Sequence, residues 1–226
     1  MFVITVDQID SRHGDDLVDR AIARLGELGG DALALPVERT AGDELQALTG
    51  DAGTVVDLVV ALARTGSWSI GVGIGDVEAP LPSSIRAASG PAFFRAREAV
   101  EAAKRAPEHV ALLVEPGRHR VTSDVEPLLA LAIRDHSRRD AEDWVVADLL
   151  ADGLTQREIA DRLGVSQQAV SKRIRRQSLA ADGAIRDALA RLLADADRPE
   201  PDADRPEPDA DADADRPDTD RTETPV

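Results

Sequence analysis

The apolar residues of this 226-residue chain change period once, near Val125, and that change decides what the chain can fold into. Before it, runs of period two alternate with runs spaced for one face of a helix; after it only helical spacing occurs. Phe2-Val3-Ile4-Thr5-Val6 suits a buried strand, and Leu17, Val18, Ala21, Ile22, Leu25 and Leu28 lie at helical spacing. Leu33, Leu35 and Val37 alternate, Thr40-Ala41-Gly42-Asp43 supplies a turn, and Leu45 to Leu48 returns, which is a hairpin. An apolar helix over 51–63 follows. Trp68, Ile70, Val72 and Ile74 then alternate with Ser67, Ser69, Gly71, Gly73 and Gly75. Those glycines lie on a strand and precede no helix, so they mark close backbone packing rather than a dinucleotide loop. Pro91 opens a helix that runs to Arg105, and Val110 to Val114 closes the half as a strand. The order β-α-β-β-α-β, then α-β, predicts an α+β fold built on a ferredoxin-like sheet.

The second half predicts helices only. Leu128, Leu129, Ala132 and Ile133 mark one, Trp144, Val145, Leu149 and Leu150 another, two short ones flank Gly164, and 184–194 carries Ile185, Ala188, Leu189, Leu192 and Leu193 in one stripe. That last stripe suits a core or a dimer contact, and its polar face has no basic cluster for lipid. From Asp195 the repeats DADRPEP and DADADADRP hold thirteen acids against four arginines, a net −9 of the chain's −16. With no apolar residue larger than alanine before Val226 to offset ordering entropy, the stretch predicts a disordered acidic tail. The expected division is a sheet domain over 1–120, a helical linker over 121–140, an all-α DNA-binding domain over 141–194 and the tail over 195–226.

Zero cysteines exclude disulfides, thiolate zinc sites and cysteine nucleophiles. Aspartate at position 7 interrupts the N-terminal apolar run before it can serve as a secretion signal, and no stretch is long enough to span a membrane, so the chain reads as cytoplasmic. His13, His109, His119 and His136 have no ligand spacing and read as isolated surface side chains.

The segment Leu154 to Arg176 resembles the helix-turn-helix of bacterial repressors and of sigma-factor region-4-like domains. Ala160 is small where a second helix would cross, Gly164 can take the positive φ that ends the first helix, and Ser166 can cap the second. Ile159, Leu163, Val165, Val170 and Ile174 form the expected apolar wedge. Thr155 and Gln156 open the first helix. Gln167, Gln168, Ser171, Lys172, Arg175 and Arg176 point outward, with Arg173 at the margin. Val165 to Arg176 holds four bases and no acid in an otherwise acidic chain, and glutamine and arginine suit adenine, guanine and phosphate. With Ser166, these residues are the expected contacts to double-stranded DNA; the competing reading is an ordinary two-helix corner with a solvated basic face.

In a ferredoxin-like sheet, Asp7 at the end of the first strand and Asp43 in the hairpin turn are neighbours able to converge on Mg²⁺ and a nucleotide, with Asp10 and Glu44 assisting. Turn chemistry at Asp43 and loop capping at Asp7 explain the same residues without a ligand. The strings Asp7-Gln8-Ile9-Asp10-Ser11-Arg12, Thr40 to Gln46, Ile70 to Gly75 and Gly90 to Arg97 resemble the SatD family and, more distantly, the palm domain of class III nucleotidyl cyclases and GGDEF-type enzymes. The likeness spans roughly residues 1 to 115. It implies a cyclase-palm-like fold, Asp7 and Asp43 as metal ligands, Gly42, Glu44 and Arg97 at a nucleotide, and a small nucleotide as effector class. Where cyclases place an asparagine and then an arginine to hold the transferring phosphate, this chain has Phe94 and, one residue early, Arg97, a pattern that leans away from catalysis.

The reading is a DNA-binding homodimer, a bacterial transcriptional regulator with a cyclase-like sensor or dimerisation domain. Two alternatives stand beside it: a metal-dependent nucleotide-transforming enzyme tethered to DNA, and an assembly module whose acidic tail mimics DNA.

Overall fold

The computed structural model describes residues 1–11, 14–118 and 122–199. It is an α+β structure with one five-stranded mixed sheet and, among the described residues, eight α-helices. The strands are β1 (Phe2–Gln8), β2 (Leu33–Ala41), β3 (Glu44–Thr49), β4 (Trp68–Ile74) and β5 (Val110–Val114), in the order β2-β3-β1-β4-β5. Strand β1 is antiparallel to both neighbours, and β5 joins β4 in parallel. Helices α1 (Val18–Gly29) and α2 (Ala52–Ala63) supply the first two crossovers, and α3 (Pro91–Ala103) connects β4 to β5. The remaining helices are α4 (Thr122–His136), α5 (Ala141–Ala151), α6 (Gln156–Leu163), α7 (Gln167–Arg176) and α8 (Asp182–Ala196).

Strand alternation assigns the two sheet faces. Phe2, Ile4, Val6, Ile70, Val72 and Ile74 pack with α1 and α2 in the main core, whereas Val3 and Leu48 meet α3 through Ala92 and Ala96. A Cβ on Gly71 would stand 2.2 Å from Val100 N, and one on Gly73 2.2 Å from both Ala92 O and Ala96 N. The glycines of β4 therefore let α3 lie directly on the strand, as their alternation implied. In the β2–β3 turn, Gly42 has φ +56° and its carbonyl accepts from Arg39 Nη1 at 2.9 Å. Positive φ at the first central residue alone is what a type II′ hairpin requires.

Packing divides the helical half differently from the boundaries at 121, 141 and 195. Val125, Leu129, Ala132 and Ile133 of α4 and Leu189, Leu193 and Ala196 of α8 belong to the sheet's core. Helices α5, α6 and α7 have a separate small core of Val146, Leu149, Ile159, Ala160, Val170 and Ile174. The helix read as a linker and the last helix of the expected DNA-binding domain thus support the sheet, and α5–α7 are inserted between them. Helical spacing reveals that a face is buried, not which neighbour buries it.

The expected tail also begins later. Asp195 and Ala196 complete α8, and the Asp197 carboxylate accepts from the Met1 ammonium at 2.7 and 2.8 Å and from Arg118 Nη1 at 3.0 Å. The acidic repeats beyond Pro199 lie outside the described residues. No helix among the described residues is long and apolar enough to cross a membrane.

Candidate functional site

Each of α5, α6 and α7 begins on a side-chain cap. Asp140 and Asp143 cap α5 reciprocally, with Asp140 Oδ1 accepting from Asp143 N at 2.7 Å. Thr155 and Glu158 do the same for α6, with Thr155 N donating to Glu158 Oε2 at 2.8 Å. Gly164 ends α6 in the left-handed region at φ +66°, and two residues later Ser166 Oγ accepts from Ala169 N at 3.2 Å. These caps satisfy donors that helix starts leave open. They also assign Thr155 and Ser166 a structural task that the expected DNA role did not include.

Helix α7 buries Val170 and Ile174 and exposes Gln167, Gln168, Lys172, Arg175 and Arg176; Ser171 and Gln156 are half-buried. Its arginines fall into two sets. Arg173 donates to Asp140 Oδ1 at 2.8 Å and Asp143 Oδ1 at 2.6 Å, and also pairs with Glu142. Arg176 Nη2 reaches both oxygens of Asp143 at 3.0 and 3.1 Å, and Gln177 Nε2 donates to Asp143 Oδ2 at 2.6 Å. Asp143 is fully buried. Burial alone would raise its pKa, yet the bonds from Arg173, the Asp140 backbone and Gln177 hold it below the ordinary carboxylate value. Arg173 and Arg176, expected on DNA, are thus engaged in fastening α7 to the start of α5.

Lys172 makes no ion pair among the described residues, and Arg175 Nη1 donates to Ser171 Oγ at 2.6 Å. Arg157 and Arg162 on α6 are likewise exposed and without an ion pair among the described residues. Neither was singled out from sequence; their signal is a base on the outer face of a capped helix preceding α7. Two members of the expected wedge also differ. Leu163 and Val165 are 38% and 48% exposed and line a cleft shared with Val145 and Ala169.

The three-helix unit is held to the sheet through Trp144. Arg64, at the end of α2, lies 4.6 Å from the Trp144 ring centre and bonds Asp148 at 2.9 and 3.0 Å. Arg139 lies 5.1 Å from the same ring and bonds Asp182 at 2.6 and 2.7 Å. His136 packs edge-on to Trp144 with ring centres 5.4 Å apart, so it is not a surface histidine. Burial, then the neighbouring Arg139 charge, hold its pKa below the usual imidazole value. His13 and His119 lie outside the described residues.

At the sheet's other candidate site, register places Asp7 opposite Glu44 and beside the hairpin turn, where Gln8 N donates to Asp43 O at 3.3 Å. Asp7 and Asp43 therefore occupy one pole of the sheet. Lys104 Nζ lies 3.1 Å from Asp7 Oδ2 and Ser11 Oγ donates to Asp43 Oδ2. Glu44 accepts from Thr40 Oγ1 at 2.6 Å and meets Arg97 Nη2 at 3.5 Å, while Asp10 takes φ +55° in the loop after β1. Among the described residues no group of three or more His, Cys, Asp or Glu is arranged to hold a metal. The Lys104 ammonium supplies at Asp7 the positive charge that a cation would bring, so a divalent ion there has to displace it. Melting with Mg²⁺ and purine nucleotides is accordingly expected to match melting in buffer; an upward shift lost in Asp43→Asn would restore the metal reading.

Comparison with known proteins places the model of the SatD family on residues 3–192, a match that continues through α4 to α7 and into α8, well past the residues whose strings resembled it. No curated protein and no solved structure matches the chain.

Proposed function

The chain belongs to the SatD family, and we propose that it is a DNA-binding homodimer acting in transcription, with α6–α7 as a helix-turn-helix and the sheet as a ferredoxin-like, cyclase-palm-like sensor or pairing domain. The observation that carries this reading is the outer face of α7: Gln167, Gln168, Lys172 and Arg175 are exposed together, while Arg173 and Arg176 are paired with acids of α5 and its cap. Glutamines in the first turn of such a helix are placed for base edges, and Lys172, Arg175, Arg157 and Arg162 for phosphates flanking them. The strand order β2-β3-β1-β4 supports the ferredoxin-like reading, because each helical crossover from β1 to β2 and from β3 to β4 skips one strand.

Replacing Gln168 and Lys172 together by alanine is expected to weaken binding at the preferred genomic site more than tenfold, the Gln168 base contact carrying about 1–3 kcal/mol of discrimination and the Lys172 phosphate contact adding to it. Genome-wide mapping of bound DNA identifies that site, and footprinting measures the loss. Unchanged protection by the double variant, with its melting intact, would remove α7 from the DNA.

A further inference from the structure

We infer that the acidic segment beyond Pro199 is an intramolecular partner of the outer face of α7, where it competes with DNA phosphates. Lys172 and Arg175 share that face with Gln168, while Val170 and Ile174 lie on the opposite, buried side. Lys172 makes no ion pair among the described residues, and Arg175 donates to the neutral Ser171 hydroxyl at 2.6 Å. The acids that α5 and its cap bring to α7 are already engaged, Asp140, Glu142 and Asp143 with Arg173 and Asp143 also with Arg176. On α6, Glu158 is held by Thr155, and Asp161 makes no ion pair among the described residues. Of the α-helices among the described residues, α7 is the one that carries no acid of its own. Its charge therefore has to be met from elsewhere.

Residues 200–226 hold eleven acids against three arginines, a net −8, with Asp209, Asp211, Asp213 and Asp215 at every second position. Before Val226 the segment has no apolar side chain beyond alanine and proline, so charge rather than burial selects where it docks. Alternate positions of an extended stretch lie about 6.6–6.8 Å apart on one side. Residues three apart on a helix, such as Lys172 and Arg175, are about 5–6 Å apart at Cβ, so neighbouring acids can meet both bases.

The segment also reaches. Asp197 on Met1 and Arg118, and Pro199 bridged to Arg118, fix the point from which it leaves the fold. From Lys172 to Pro199 the chain runs through the end of α7, a short connection and the 15 residues of α8, which together span at most about 65 Å. Residues 200–226 span up to about 90 Å at full stretch. Attachment within one chain sets the acids near the face at an effective concentration on the order of millimolar, which populates a contact too weak to hold between separate molecules. Nonspecific DNA binding rests almost wholly on charge, so the contact opposes it most, and salt weakens both. The inference rests on the DNA-binding reading for the competition, and the contact itself is tested without DNA.

The chain has two lysines, Lys104 and Lys172, so a carbodiimide, which joins an amine to a carboxylate in contact, reads both in one sample. Lys104 is the internal standard, at 3.1 Å from Asp7 and 2.8 Å from Glu101. Mass spectrometry of the monomer-sized product is expected to find Lys172 joined to acids of 200–226 and Lys104 joined to Asp7 or Glu101. A full chain carrying Asp202→Asn, Asp204→Asn, Asp209→Asn, Asp211→Asn, Asp213→Asn and Asp215→Asn is expected to lose most of the Lys172 product and keep that of Lys104. The same variant is expected to bind a nonspecific duplex roughly three- to tenfold more tightly at about 50 mM salt, the gain shrinking toward about 200 mM. Lys172 left unjoined to the segment while Lys104 reacts, a Lys172 product confined to cross-linked dimers, or equal duplex affinity and salt slope in the two chains would each overturn the inference. Failure of both chains to bind any duplex would overturn the DNA reading and the competition with it, and a Lys172 product in that same protein shows that the contact stands apart from that failure.

Discussion

Gly73→Ala is expected to destabilise the protein by more than ~3 kcal/mol, although alanine in a strand interior ordinarily gains roughly 0.5–1 kcal/mol over glycine. The sign reverses because the atoms in the way belong to backbone. A Cβ at residue 73 would lie 2.2 Å from Ala92 O and Ala96 N, and no rotamer change relieves either contact. Helix α3 has to lift by about an ångström, which loosens the contacts of Ala92 and Ala96, both fully buried. Gly26→Ala is the matched comparison: it lies within α1, nothing stands within 4 Å of its added Cβ, and the substitution is expected to stabilise by about 0.5–1 kcal/mol. Urea denaturation of both variants measures the contrast. A Gly73→Ala chain as stable as wild type would mean that α3 is not seated on the glycines of β4.

Asp143→Ala is expected to cost about 3 kcal/mol, concentrated in α5–α7. The carboxylate is the shared acceptor of Arg173, Arg176 and Gln177, and removing it leaves these donors crowded around an empty place at the start of α5. Breaking a buried ion pair typically costs 3–5 kcal/mol; the lower end applies because Arg176 is half exposed and can turn to water. Hydrogen exchange should show amides of α5 and α7 losing protection while those of β1 and β4 keep theirs. Equal loss across the sheet would place Asp143 in the main core instead.

The pH dependence follows with a definite sign. Because the folded pKa of Asp143 is lowered, its contribution is complete above the ordinary carboxylate range and disappears as pH falls through the folded value. His136 is also lowered, so its contribution is complete above the ordinary imidazole value of about 6.5 and is withdrawn earlier in an acid titration. Acid should therefore loosen the Trp144 joint before it releases α7 from α5.

Elements whose boundaries rest on neighbours in sequence were legible in advance. The strand over Trp68 to Ile74, the hairpin turn at Gly42, the Pro91 start of α3 and the Gly164–Ser166 turn all appear where their residues predict them, because alternation, φ and capping act within a few residues. The α+β class followed from the order of those elements.

Partnership between distant residues was not legible. Helical spacing puts Arg173 at the margin of the outward face, but nothing in the sequence of α7 separates Arg176 from Lys172 and Arg175, since the difference lies in an acid some thirty positions away on α5. Lys104 beside Asp7 depends on how far α3 runs across the sheet, and Asp197 on Met1 joins the two ends of the described chain. The elements, their order, the caps and the close approach at Gly71 and Gly73 follow from the residues alone, because those are local or steric requirements. That α4 and α8 serve the sheet's core, and that, among the described residues, Arg173 and Arg176 are paired while Lys172 is not, depends on what the fold brings alongside, because burial and ion pairing join residues far apart in the chain.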